Sequence, residues 1–168
     1  IWRMVKCFNV PYWYEGWDDI QICYPEDEEK YIHQLYRSDI QQLLDGSSML
    51  YEYDQKNPHH QLSLGEHMYK CYELMYRSTF IKSLQEAALL HDLGKFYTQS
   101  LDEDGIAHYY DHNNISAYLS LFSRHDSKYH IISRAAYIQW HMAPYFWKEE
   151  KTRNKYKRLL GKQFYDDL

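Results

Sequence analysis

His91 and Asp92 sit side by side at the end of an almost wholly apolar stretch, Ala87-Ala88-Leu89-Leu90. A carboxylate in such a place loses much of its hydration unless something compensates it. A metal ion is one compensator. Imidazole with carboxylate is a donor set suited to Mn, Fe, Ni, Co or Zn, and more weakly to Mg. By itself the dipeptide reads as a turn cap beside a backbone-bonded histidine. It is not by itself: His67 opens the preceding predicted helix, His112 opens the following one, and His141 closes the next. Helix ends are where ligands from different elements converge, so these histidines around a His-Asp pair point to a divalent-metal centre. Lys95, just past Gly94, is then expected as a cation at the mouth of the site, able to hold a phosphate as a point charge. Its plain alternative is a solvated lysine.

The elements that must position these residues follow from pattern. Residues 1–24 are rich in Trp and Tyr and broken by Pro11 and Gly16, with an alternating run Asp19 to Tyr24 that reads as a short strand. This is expected to be an N-terminal appendage, or a domain junction, ahead of a helical domain over 25–168. Pro25 and the acidic run Glu26 to Glu29 predict a helix start, with Ile32, Leu35, Ile40, Leu43 and Leu44 as its apolar face and Gly46 as its end. Ser63 and Glu66 predict a capping box, which puts His67 in a first turn. Ile81 to Leu93 predicts a buried central helix with Gly94 as a glycine C-cap. Two short alternating runs, Phe96 to Ser100 and Ile106 to Tyr110, flank Asp102-Glu103-Asp104-Gly105 and predict a hairpin inserted between helices. Asp111 and Asp126 are expected to cap the next two helices, and a basic helix should run from Lys148 to Leu160. The expected fold is mostly α, a bundle around the buried helix.

Composition bounds the rest. A chain of 168 residues suits one good core, and 45% apolar residues with 18% aromatics are enough to drive folding. The net charge of -5 argues against a broad nucleic-acid footprint, so no DNA duplex binding is expected. A nucleotide or a nucleic-acid end remains open as a partner. Cys7, Cys23 and Cys71 are odd in number, widely spaced and form no CxxC pattern, which argues against a disulfide framework or a zinc-thiolate site and suits a reducing cytoplasm. No apolar run spans a bilayer, so no membrane partner is expected. The chain begins without methionine and ends inside an amphipathic segment, as expected of a piece of a longer polypeptide. The basic residues Arg153, Lys155, Lys157 and Arg158 read as a solvated face.

His67 followed by Ala88-Leu89-Leu90-His91-Asp92-Leu93-Gly94-Lys95 resembles the H...HD core of the HD superfamily of metal-dependent phosphohydrolases. The wider order resembles the HD domain of bacterial CCA-adding tRNA nucleotidyltransferases. Asn57-Pro58-His59-His60 precedes the first histidine, His108-Tyr109-Tyr110-Asp111-His112 opens a helix after the hairpin, and Pro144 follows His141. The resemblance covers about Asn57 to Leu168. It implies an HD-type helical bundle, with His67, His91 and Asp92 as metal ligands and His112 and His141 completing a second site where two ions bind. It implies hydrolysis of a phosphomonoester or phosphodiester of a nucleotide or RNA end, including 2′,3′-cyclic phosphates. Asp92 is then expected to orient or bridge one or two divalent ions. Lys95 would neutralise phosphoryl charge, and Lys95, His112 and His141 would face the substrate. Glu66 is a candidate for fixing an imidazole tautomer. The family's signature ends in an aspartate on a late helix, usually in an Ala-Asp dipeptide, and none follows His141 here. That ligand is expected past Leu168, with Asp167 as the fallback. The first residues are similar to the tail of P-loop kinase domains fused to HD domains, yet Gly94-Lys95 lacks the upstream glycine of a phosphate loop. Two other functions share the pattern: a catalytically idle HD-like module that binds a nucleotide or a protein, and a di-iron HD oxygenase. Oligomeric state is open.

Overall fold

The computed structural model describes residues 2–23, 40–122 and 126–168, and they are mostly helical. The helices are α1 (Trp2–Lys6), α2 (described at 40–45), α3 (Leu64–Ser78), α4 (Lys82–Leu90), α5 (Lys95–Thr98), α6 (His112–Ser120), α7 (Lys128–Trp140), α8 (Glu150–Leu160) and α9 (Lys162–Asp167). A two-stranded antiparallel hairpin, β1 (Ser100–Leu101) and β2 (Ala107–His108), separates α5 from α6. Its register pairs Ser100 with His108 and Leu101 with Ala107. None of the described helices is long and apolar enough to cross a membrane.

The core is built around α4, which packs on α3 and α7, while α6 packs on α7. Leu84, Ala87, Leu89 and Leu90 of α4 meet Leu64 and Met68 of α3 and Ile132, Ala135, Ala136 and Ile138 of α7, all buried. Burying each of the large aliphatic side chains contributes about 1.5–3 kcal/mol, which is what holds the helix ends in register. The predicted capping box is present: Glu66 N–H donates to Ser63 Oγ at 3.3 Å, and Ser63 N–H donates to Glu66 Oε2 at 2.9 Å. That carboxylate is therefore occupied at the helix start and bonds no imidazole among the described residues.

Several expectations differ. Residues 19–23 form no strand; Ile20 instead joins the core, with no partner strand beside it among the described residues. The helix predicted from Pro25 falls outside the described residues except at 40–45, where Gly46 ends it at φ 78°. Phe96 is not in a strand, because α5 takes 95–98. Ser127, not Asp126, caps α7 by accepting from His130 N–H at 3.3 Å, while Asp126 turns to Lys82 and Arg134. Asp111 precedes α6 in a left-handed conformation (φ 60°), with no side-chain cap bond. Gly94 is right-handed, φ -63°. Its missing Cβ serves a close approach: a Cβ there would lie 2.1 Å from the His112 carbonyl oxygen. Segment 2–23 packs onto the helical body. Val10 N–H donates to Gln139 Oε1 at 2.8 Å, and Asn114 Nδ2 donates to the Lys6 carbonyl at 2.6 Å.

Candidate metal centre

The bundle brings the ends of four helices to one carboxylate. Asp92, 3% exposed, lies in the turn that links α4 to α5. Its Oδ2 is 3.2 Å from His67 Nε2 and 3.2 Å from His91 Nε2. Its Oδ1 is 3.2 Å from His112 Nε2 and 3.7 Å from His141 Nε2. Each oxygen therefore faces its own pair of imidazoles. Within the pairs, the Nε2 atoms of His67 and His91 are 3.2 Å apart, and those of His112 and His141 are 3.3 Å apart.

The rings are aimed by backbone. His91 Nδ1 lies 2.9 Å from the Ala88 carbonyl, His112 Nδ1 2.7 Å from that of Tyr109, and His141 Nδ1 2.6 Å from that of Ile138. A carbonyl only accepts, so each Nδ1 carries a proton, and in the neutral ring Nε2 then presents a lone pair. For His91 and His141 the acceptor is a last-turn carbonyl, and that of Ile138 also takes the His141 backbone N–H at 3.4 Å. The ring bond fixes which way each imidazole faces. With both rings neutral, the Nε2 lone pairs of His112 and His141 face one another with no proton between them, an arrangement that a cation relieves. Two nitrogens each about 2.1 Å from one ion lie about 3.0–3.4 Å apart for donor angles between square and tetrahedral. Both observed spacings fall in that range. The donor set, four imidazoles and a two-sided carboxylate, fits one or two divalent transition ions.

Charge follows the same division. Burial raises the Asp92 carboxyl, but the histidines around it outweigh that and hold it well below the carboxylate range. The bond to Asp92 pushes His67 up to about 9, so without an ion a proton on His67 fills part of the cation's place. Burial, with His91 nearby, pushes His141 down to about 3 and keeps it neutral. Lys95 is not at the mouth of the site. It is 5% exposed, and its Nζ donates to Asp92 Oδ2 at 2.8 Å, to Gln55 Oε1 at 3.0 Å and to His60 Nε2 at 3.4 Å. Three donors meet three acceptors, so the ammonium is committed to holding the carboxylate. Burial and the Lys95 charge keep His60 below its ordinary value.

The histidine layer separates two spaces. A cleft of about 590 Å³ is walled by His60, His67, His91, His112, His141 and Tyr145, with His108 and Tyr110 stacked at its rim (ring centroids 5.7 Å apart). A smaller cavity of about 270 Å³ lies behind, bounded by His67, Cys71, His91, Tyr137, His141 and Asp167. Asp167 reaches that cavity but is held by Tyr137 O–H at 2.9 Å and Gln163 Nε2 at 2.8 Å, away from Asp92. Glu86, Asp126 and His130 form another carboxylate-imidazole cluster. The cations there are already Arg134, 2.5 Å from Glu86, and Lys82, 3.3 Å from Asp126.

Sequence reasoning named the four histidines and Asp92 but missed Gln55 and Cys71. Gln55 has no local signal, since it meets Lys95 only through the fold. Cys71 had one, being four residues past His67 and so on the same helical face. Comparison of the chain with family models, with curated proteins and with solved structures returned no match.

Proposed function

We propose that this chain is a metal-dependent phosphohydrolase of the HD type, acting on a phosphomonoester or phosphodiester of a nucleotide or RNA end. The observation that carries the reading is Asp92, whose two oxygens each face a separate pair of converging imidazole nitrogens. His67, His91 and Asp92 Oδ2 would hold one divalent ion, and His112, His141 and Asp92 Oδ1 a second. Bound there, such ions supply Lewis acidity toward phosphate oxygens and lower the pKa of water. The chain's own residues do the positioning. Lys95 fixes the rotation of the Asp92 carboxylate, so that both oxygens stay presented, and leaves positive charge at the base of the cleft. The cleft volume of about 590 Å³ suits a nucleotide-sized ligand, and the exposed rings of Tyr110 and Tyr145 at its rim offer stacking surface.

The test is elemental analysis of the purified protein beside a His91→Ala/Asp92→Ala double variant, with hydrolysis of a generic phosphodiester measured on both. Metal and hydrolysis confined to the wild type are expected. A metal-free, inactive wild type would overturn the reading and leave a binding module.

A further inference from the structure

We propose that Cys71 is a thiolate donor to the ion held by His67 and His91, which makes that half of the centre thiophilic while the His112/His141 half keeps only nitrogen and oxygen donors. The inference rests on the metal-centre reading above and adds a ligand to it. Cys71 follows His67 by one helical turn on α3, and its Sγ lies 3.8 Å from His67 Nε2. The donor atoms of His67, Cys71 and His91 all lie within 4.8 Å of one another. A nitrogen and a sulfur bound tetrahedrally to one ion, at about 2.1 and 2.3 Å, stand about 3.6 Å apart. The observed 3.8 Å needs a shift of a few tenths of an ångström, within reach of a small side-chain rotation. Cys71 is half-buried and borders the smaller cavity, not the cleft. Its donation therefore leaves the cleft wall to the substrate. On binding, the thiol proton passes to solvent and the sulfur lone pair to the ion. A thiolate favours Zn and Co over Mg, so the two halves of the centre differ in metal preference.

Cobalt(II) titration followed by absorption tests this. It uses a Cys7→Ser/Cys23→Ser background in which Cys71 is the remaining thiol; both replaced residues are exposed. Expected is a near-ultraviolet thiolate-to-cobalt charge-transfer band that saturates with binding. Adding Cys71→Ser should remove it and weaken the tighter cobalt site about 10-fold or more, with Cys71→Ala as a second variant should the serine fail to fold. Cobalt bound with visible d–d bands but no charge-transfer band, and with equal affinity in the Cys71 variants, would overturn the Cys71 assignment and leave the histidine centre standing. No cobalt bound by any form would overturn both.

Discussion

Gly94→Ala tests the close approach on which the second half of the centre depends. An alanine Cβ at this position would lie 2.1 Å from the His112 carbonyl oxygen and 2.9 Å from both the amide nitrogen and the Oγ of Ser116. Ordinary contact begins near 3.4 Å, so the α4–α5 turn and the start of α6 must separate by about 1.3 Å (3.4 − 2.1). His112 leads α6 and moves with it. Moved by that amount along the line to Asp92 Oδ1, its Nε2, now 3.2 Å away, would reach about 4.5 Å, too far to share an ion with that oxygen. The 2.7 Å bond from Gly94 N–H to Ser116 Oγ would also stretch. Overpacking of this kind costs about 1–3 kcal/mol, and a stranded buried amide adds about 1 kcal/mol or more. The expected total near 3 kcal/mol corresponds to a Tm about 6–12 °C lower in a domain of this length. Calorimetry with metal analysis reads both effects: a clear loss of stability, with roughly half of the bound metal gone. Gly105→Ala is the control. It meets no neighbouring atom, carries only the cost of φ +76°, and should leave metal content unchanged. A Gly94→Ala protein as stable as the wild type and fully loaded would refute the approach of α6 to the Asp92 turn as the determinant of the His112 half.

Two further outcomes follow from buried charge. Lys95→Met strips Asp92 and Gln55 of their shared donor and should cost about 3–5 kcal/mol in metal-free protein, measured by urea unfolding. That loss should shrink when divalent metal is added; an equal loss with and without metal would break the link between Lys95 and the centre. In the middle of α4, burial raises the Glu86 carboxyl, but His130 and Arg134 outweigh it and hold it below the ordinary value. A depressed carboxyl contributes stability that is present above its unfolded pKa of about 4.5 and lost as pH falls through the lower folded value. The stability gap between wild type and Arg134→Met should thus be full at pH 6–7 and narrow as the pH drops below about 4.5; a gap independent of pH would assign Arg134 to packing alone.

What the sequence made legible was local. The Ser63–Glu66 box, the glycine end at Gly46 and the apolar run of α4 each depend on neighbours within a turn, and each is present. The placement of His67, His91, His112 and His141 at helix ends was legible for the same reason. Gly94 was misread as a left-handed cap because the reason for glycine there is the His112 carbonyl, which belongs to another helix. Lys95 was misplaced at the mouth because Gln55, which draws it inward, lies 40 residues earlier in the chain. The alternation at 19–23 has the pattern of a strand but has no partner strand among the described residues, and Ile20 serves as a core side chain.

The energetics of the centre also bear on how its histidines are aimed. A buried aspartate needs cationic or donor partners, and Lys95 supplies one for Oδ2 alone. Oδ1 is left facing the Nε2 atoms of His112 and His141, whose Nδ1 protons go to the carbonyls of Tyr109 and Ile138. Each of these carbonyls accepts the ring Nδ1–H of a histidine together with that histidine's own backbone N–H at 3.4 Å, and this pair of bonds turns the Nε2 side of the ring toward the carboxylate. The backbone therefore aims two Nε2 atoms at Oδ1, the oxygen without the Lys95 ammonium, and that half of the cluster has the most to gain from a cation.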